Sequence, residues 1–112
     1  MSGPFTLKYL HLFLREKSAG AFILSRNGRS ADRVGSSPQD IAGAIRLMAR
    51  DSEYRYFWFA TTSTAEQAYE FEHGWYHRYR PSDHTYPPIP YPGLTWRCTN
   101  EGCAACALAA PR

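Results

Sequence analysis

Apolar and polar side chains alternate or cluster at four places along the chain, and each place predicts a β-strand. Residues 5–14 alternate imperfectly and predict an edge strand, with a short helix as the alternative. Residues 21–25 and 30–35 flank Asn27-Gly28, a dipeptide that favours a two-residue hairpin turn, and predict a β-hairpin. The aromatic run at 54–61 predicts a central strand. A sheet that contains a hairpin follows from this pattern.

The first helical pattern comes directly after the hairpin. Ser37 is the predicted N-cap, Pro38 occupies the first helical position, and Asp40 reaches back as in a capping box. The helix is predicted to end near Asp51. Its buried side consists of apolar residues at helical spacing, namely Ile41, Ala44, Ile45 and Met48.

The second helical pattern places an acidic residue among its apolar positions. The helix is predicted to begin with a capping box at residues 63–66 and to run to about Tyr79. Glu72 falls within the apolar stripe, where a carboxylate is costly unless it is paired, hydrogen-bonded or bound to a cation. Two interpretations are open: an ion pair with an arginine, or oxygen ligation of Mg²⁺. The other stripe positions are Ala65, Ala68, Tyr69, Trp75, Tyr76 and Tyr79.

The order of these elements predicts a small α+β fold. Its sheet is mixed or antiparallel, contains the N-terminal β-hairpin and is flanked by two helices. Three segments are expected: an N-terminal strand and loop at 1–19, a central domain at 20–83, and an arm with a cysteine-containing tail at 84–112. Five prolines between positions 81 and 93 exclude a helix or an inner strand there and predict an extended Pro-rich arm.

Composition narrows the class of protein. The 112 residues fit one domain, and hydrophobic residues at 44% with charged residues at 21% exclude general disorder. No apolar run approaches the ~20 residues that cross a bilayer, and the N-terminus lacks the pattern of a secretory signal. A cytoplasmic protein without a membrane partner is therefore expected. The net charge of +3 is too small for a basic nucleic-acid-binding tail.

The order and spacing of the motifs resemble the GIY-YIG nucleases. Gly20-Ala21-Phe22 stands at the family's first motif, and Arg33-Val34-Gly35 stands at the second after ten intervening residues. A later helix carries Glu72 and is followed by Arg80-Pro81, as in the family. Over residues 20–83, the resemblance implies a GIY-YIG-like domain, Mg²⁺ at Glu72 and a nucleic-acid partner, DNA more than RNA.

The departures from the family pattern bear on catalysis. The two motif tyrosines fall on Phe22, which lacks a hydroxyl, and on Arg33, whose guanidinium stays protonated and cannot act as a base. The family's helix arginine falls on Ala44. The predicted function is nucleic-acid binding with weak or absent phosphodiester cleavage. The alternative is an active Mg²⁺-dependent endonuclease with rewired residues, in which His77, Tyr76 or Arg33 replaces the missing groups.

Arginines near the hairpin and the second helix are the candidate phosphate contacts. Eleven of the 13 basic residues are arginine, which binds phosphate through two parallel hydrogen bonds. A solvated charged face is the alternative interpretation. The candidates are Arg26, Arg29, Arg33, Arg78 and Arg80.

The three cysteines lie close together in the tail. With His84 as a fourth ligand, they would form a structural Cys₃His zinc site. A redox-active pair and free thiols are the alternatives. A third functional hypothesis is a protein-interaction module, stapled by zinc, in which the Pro-rich arm and the tail contact a partner protein. The cysteines are Cys98, Cys103 and Cys106.

Overall fold

A four-stranded antiparallel sheet organises the chain in the computed structural model, which describes residues 1–83. The strands are β1 (Ser2–Thr6), β2 (Ala19–Ser25), β3 (Arg33–Ser37) and β4 (Tyr56–Thr62), in the spatial order β1-β4-β2-β3. The helices are α1 (Leu10–Phe13), α2 (Ile41–Ala49) and α3 (Ala65–Tyr79). The predicted α+β class and the central position of β4 are confirmed. None of these helices, within residues 1–83, has the length and apolar character that crossing a bilayer demands.

The predictions for residues 84–112 lie outside the described part of the chain. They comprise the Pro-rich arm and the zinc ligands His84, Cys98, Cys103 and Cys106.

The N-terminal segment is a strand for only part of its predicted length. β1 ends at Thr6, and a single 3₁₀ turn leads into α1, so a strand over 5–14 is wrong beyond Thr6. The short helix brings Leu10 and Leu14 into the core, where both are buried. The rings of Phe5 and Phe13 stack with their centroids 4.0 Å apart. Packing of these side chains therefore overrides the imperfect alternation.

The loop between β2 and β3 is wider than a two-residue turn. β2 ends at Ser25 and β3 begins at Arg33, so the connection runs through residues 26–32 and the predicted start of the return strand at Ser30 is wrong. The Asn27 carboxamide oxygen accepts hydrogen bonds from the backbone N–H groups of Arg29 at 2.8 Å and Ser30 at 3.0 Å. Asn27 therefore organises a longer loop instead of a tight hairpin turn.

Both long helices begin one or more residues later than predicted. Asp40, not Ser37, is the N-cap of α2 and accepts a hydrogen bond from Gly43 N at 3.1 Å. The Ser37 hydroxyl instead accepts from Asp40 N, at 2.9 Å, in the turn before the helix. Thr64 is the N-cap of α3, and its hydroxyl accepts from Gln67 N at 3.1 Å, so the capping residue and its partner are shifted by one from 63–66.

The sheet has an apolar core on each face. On the α2 side, buried residues form one cluster, namely Leu10, Leu14, Phe22, Leu24, Ile41, Ala42, Ile45 and Phe57. On the α3 side, where strand alternation directs Ala21, Ile23 and Val34, the helix contributes the buried residues Ala68 and Tyr69. Because β2 is covered on both faces, its apolar run is continuous.

Candidate functional site

The carboxyl group of Glu72 faces the sheet from α3. The hydroxyl of Ser36 on β3 donates a hydrogen bond to Glu72 Oε1. Burial raises the pKa of Glu72 to about 7, although the hydrogen bond from Ser36 acts in the opposite direction. Within residues 1–83, no arginine or lysine lies within ion-pair distance of this carboxyl. Glu72 is therefore on the inward side, as its helical spacing predicts, and the ion pair with an arginine, one of the two interpretations, is not formed among residues 1–83.

Three ring side chains follow one side of α3 next to Glu72. The Tyr69 hydroxyl and His73 Nδ1 are 3.1 Å apart, and the rings of His73 and His77 have centroids 4.9 Å apart. Burial, with the nearby charge of His77 as a second cause, lowers the pKa of His73 to about 4. Burial also lowers the pKa of His77. The imidazole of His73 is therefore neutral at pH 7.

Phe22 and Arg33 lie on the opposite face of the sheet from Glu72. Phe22 is fully buried in the α2-side cluster, and Arg33 pairs with Leu24, so the two share a face. Ser36 pairs with Ala21 and projects to the α3 side, where it bonds Glu72. The sheet therefore separates Glu72 from the two positions that match the family's motif tyrosines.

A protein-held metal centre is not assembled within the described residues. No group of three or more His, Cys, Asp and Glu side chains in residues 1–83 is arranged to hold a metal ion. Glu72 alone offers one carboxyl group, and Mg²⁺ held in this way depends on waters and substrate phosphates for its remaining ligands. The described donor set therefore does not fit a pre-formed Mg²⁺ site.

Arg26 is engaged in an ion-pair network that sequence analysis missed. Its guanidinium contacts Asp83 at 2.7 Å, Asp32 at 3.4 Å and Glu53 at 3.5 Å. The Tyr54 hydroxyl also donates to Asp83, and the hydrogen bonds from Tyr54 and Arg26 lower the pKa of Asp83. Asp83 N donates to the Asp32 carbonyl at 2.7 Å. We call these five side chains the loop clasp, because they join the end of the described chain to the β2–β3 loop.

The other candidate arginines differ in how accessible their guanidinium groups are to a phosphate. Arg29, Arg78 and Arg80 have exposed side chains and form no ion pair with an acid among residues 1–83. Arg33 is partly buried, and its Nε has no hydrogen-bond partner in the described part of the chain. Arg26 is occupied by three acids. The surface that can meet phosphate is therefore smaller than the five-residue prediction.

A groove at the start of α3 and two aromatic rings beside it were also missed. The groove has a volume of about 650 Å³, and its lining includes Thr61, Thr62, Ser63, Gln67, Glu70 and Phe71. Phe71 is 43% exposed and stacks on Trp75, with centroids 5.7 Å apart and planes at 20°. The half-buried Trp75 therefore stacks on an exposed ring and does not lie in a fully buried stripe. The four-residue spacing of these rings was the available sequence signal.

Comparison with known proteins gave no match to a protein-family model, to a curated protein or to a solved structure. The proposals below therefore depend on the residues and geometry of this chain.

Proposed function

We propose that this chain is a divergent GIY-YIG-like domain that binds nucleic acid and has weak or absent phosphodiester cleavage. The observation that supports weak or absent cleavage is the separation of Glu72 from Phe22 and Arg33 by the sheet. Cleavage at phosphate requires the metal ligand and the charge-stabilising groups to converge on one reacting centre. An aromatic ring without a hydroxyl, buried in the opposite core, supplies neither a base nor a charge.

Nucleic-acid binding requires accessible cationic side chains and does not require the residues that would catalyse cleavage. Arg78 and Arg80 lie at the end of α3, and Arg29 lies in the β2–β3 loop; all three are exposed. Phosphate contacts by such side chains release counterions and give salt-dependent affinity. We expect DNA to be bound in preference to RNA, with Mg²⁺ at Glu72 only when a phosphate completes its ligands.

The experiment is a salt titration of binding to fluorescently labelled DNA and RNA. The test variant is Arg78→Gln/Arg80→Asn, and the control is Arg46→Gln/Arg50→Gln, which removes the same charge from α2 and its C-cap. The test variant should reduce the slope of log K against log salt by about 0.9 for each lost duplex phosphate contact, whereas the control should leave it unchanged. Equal effects of both variants would mean that net charge, and not this surface, drives binding.

Cleavage is tested separately with supercoiled plasmid in Mg²⁺ or Mn²⁺. The proposal expects no nicking beyond the level of the Glu72→Gln variant. Nicking that disappears in Glu72→Gln would instead establish the alternative, an active metal-dependent endonuclease. Absence of binding to every nucleic acid, together with a stable protein partner and stoichiometric zinc in the reduced protein, would favour the zinc-stapled interaction module.

A further inference from the structure

The outer side of α3 carries a set of residues that the core of residues 1–83 does not fully bury. Phe71, Gly74, Trp75 and Arg78 follow one another at spacings of three and four residues, so they share one side of the helix. The buried side of α3 contains Ala68, Tyr69 and His73 instead. We call the outward set the aromatic strip. Phe71 is exposed and stacks on the half-buried Trp75, and apolar rings grouped on the side of a helix away from the core can serve as a binding surface.

Gly74 leaves the strip open between the rings and the arginine. A Cβ atom at this position would meet no atom of the described residues within 4 Å. Glycine is the least favourable helix-interior residue after proline, so no local packing demand explains it here. The missing side chain gives a flat ligand access to the ring faces.

The groove at the N-terminal end of the strip favours an uncharged polar ring. No lysine, arginine or histidine from residues 1–83 lines it, and Glu70 opposes a phosphate there. Gln67 accepts from Ser63 N through Oε1 at 3.0 Å, which leaves the Nε2 group of its amide as a donor toward a ligand. The edge of a nucleobase carries the donors and acceptors that such a lining can satisfy.

The opposite end of the strip has the charge that a phosphate requires. The exposed Arg78 guanidinium lies 5.4 Å from the ring centroid of Tyr79, which supports it from one side. Seven residues of helix separate Phe71 from Arg78, about 10 Å. Three stacking steps of about 3.4 Å, between four successive bases, span this length.

We infer that the aromatic strip and its groove bind single-stranded nucleic acid, with bases on Phe71 and Trp75 and a backbone phosphate at Arg78. Stacking on protein rings needs an unpaired base, because the faces of a paired base are already covered in a duplex. This inference rests on the proposed function and specifies the form of nucleic acid that α3 takes.

The test compares a labelled single-stranded 10-mer with a hairpin duplex of the same sequence, by fluorescence anisotropy. Gly74→Gln adds a side chain into open space and raises helix propensity, so it keeps the fold while covering the strip. Phe71→Leu/Trp75→Leu removes the rings, and Leu47→Ala, at an exposed apolar residue of α2, is the control.

Both strip variants should weaken single-strand binding about tenfold or more and leave duplex binding and the control unchanged. If Gly74→Gln keeps the single-strand affinity of the unaltered protein, the inference is overturned. The proposed function still stands in that case if the unaltered protein binds the duplex. Loss of binding to both forms in the unaltered protein would overturn both. The unaltered protein could also form concentration-dependent dimers that the Gly74→Gln substitution dissociates without changing single-strand affinity. That result would assign the aromatic strip to contact with a second copy of the chain and would also overturn the inference.

Discussion

The hydroxyl of Ser36 on β3 donates a hydrogen bond to the carboxyl of Glu72 on α3 and fixes the helix over the strand that follows the β2–β3 loop. This contact joins a small polar residue, which follows the buried Val34 and Gly35 on β3, to the one acid on the inward side of the helix. It also places a carboxyl with a pKa of about 7 inside the domain.

Replacing Glu72 by glutamine should stabilise the protein at alkaline pH. The folded-state pKa of Glu72 is raised from its ordinary value of 4.5 to about 7, so the stability associated with the protonated form is present below about 4.5 and is lost as the pH rises through 7. When the pH is raised from 5 to 8, the free energy of unfolding of Glu72→Gln should increase by about 2–3 kcal/mol relative to that of the parent. Urea unfolding at both pH values measures this difference.

His73 changes the stability of the fold with pH in the direction opposite to Glu72. Its folded-state pKa is lowered from 6.5 to about 4, so its contribution to stability is present above 6.5 and is lost as the pH falls toward 4. The Glu72→Gln protein should therefore become less stable on acidification through this range. A parent and variant that respond identically to pH would show that Glu72 titrates normally.

Gly35→Ala should destabilise the fold by about 1–3 kcal/mol. A Cβ atom there would lie 2.4 Å from Cζ of Phe22, whose ring is fully buried and has no space to move. The matched control is Gly74→Ala, which meets nothing within 4 Å and should stabilise α3 by up to about 1 kcal/mol. Thermal unfolding of the two variants should give shifts of opposite sign; a shared direction would contradict this packing.

Asp40→Ala should destabilise the fold by about 1 kcal/mol, because it removes the N-cap of α2. Asp40→Asn keeps an oxygen acceptor and should have a smaller effect. Ser37→Ala should also be milder than Asp40→Ala, since Ser37 bonds the preceding turn and not the helix. If Ser37→Ala were the more damaging substitution in chemical denaturation, the earlier helix start predicted from sequence would be favoured.

Asp83→Asn should loosen the loop clasp, at a cost of up to about 1 kcal/mol because the contacts are partly exposed. The pKa of Asp83 is lowered, so its contribution is present above its ordinary value of 3.8 and fades as the pH falls further. The 87%-exposed Glu53 gives the control: Glu53→Gln should have almost no effect. Hydrogen exchange measures the effect: the backbone amide of residue 83 should exchange faster in Asp83→Asn and at an unchanged rate in Glu53→Gln.

Local sequence patterns predicted the order of the four strands and the two long helices, the central strand and the inward side of α3, but not α1. Periodicity identifies the apolar side of a helix, and Glu72 therefore fell on the correct side. The same periodicity does not say which face of the sheet a helix covers. Because β2 is apolar on both faces, from Ala21 to Leu24, nothing local separated Phe22 from Glu72.

The errors in the prediction come from side-chain hydrogen bonds and packing that the pattern does not contain. Asn27-Gly28 is the expected turn dipeptide, yet the Asn27 carboxamide bonds two later N–H groups and organises a longer loop. The loop clasp joins residues separated by as much as 57 positions, so no window of sequence reveals it. The resemblance to GIY-YIG nucleases stays a prediction.

The sheet divides the interior into two compartments that meet only through the backbone of its strands. Neighbouring residues on β2, such as Phe22 and Ile23, belong to different compartments. Substitutions placed on opposite sides should therefore combine additively in free energy, whereas pairs within one side should interact. A substitution at Glu72 or His73 should consequently leave the packing of the α2-side cluster unchanged.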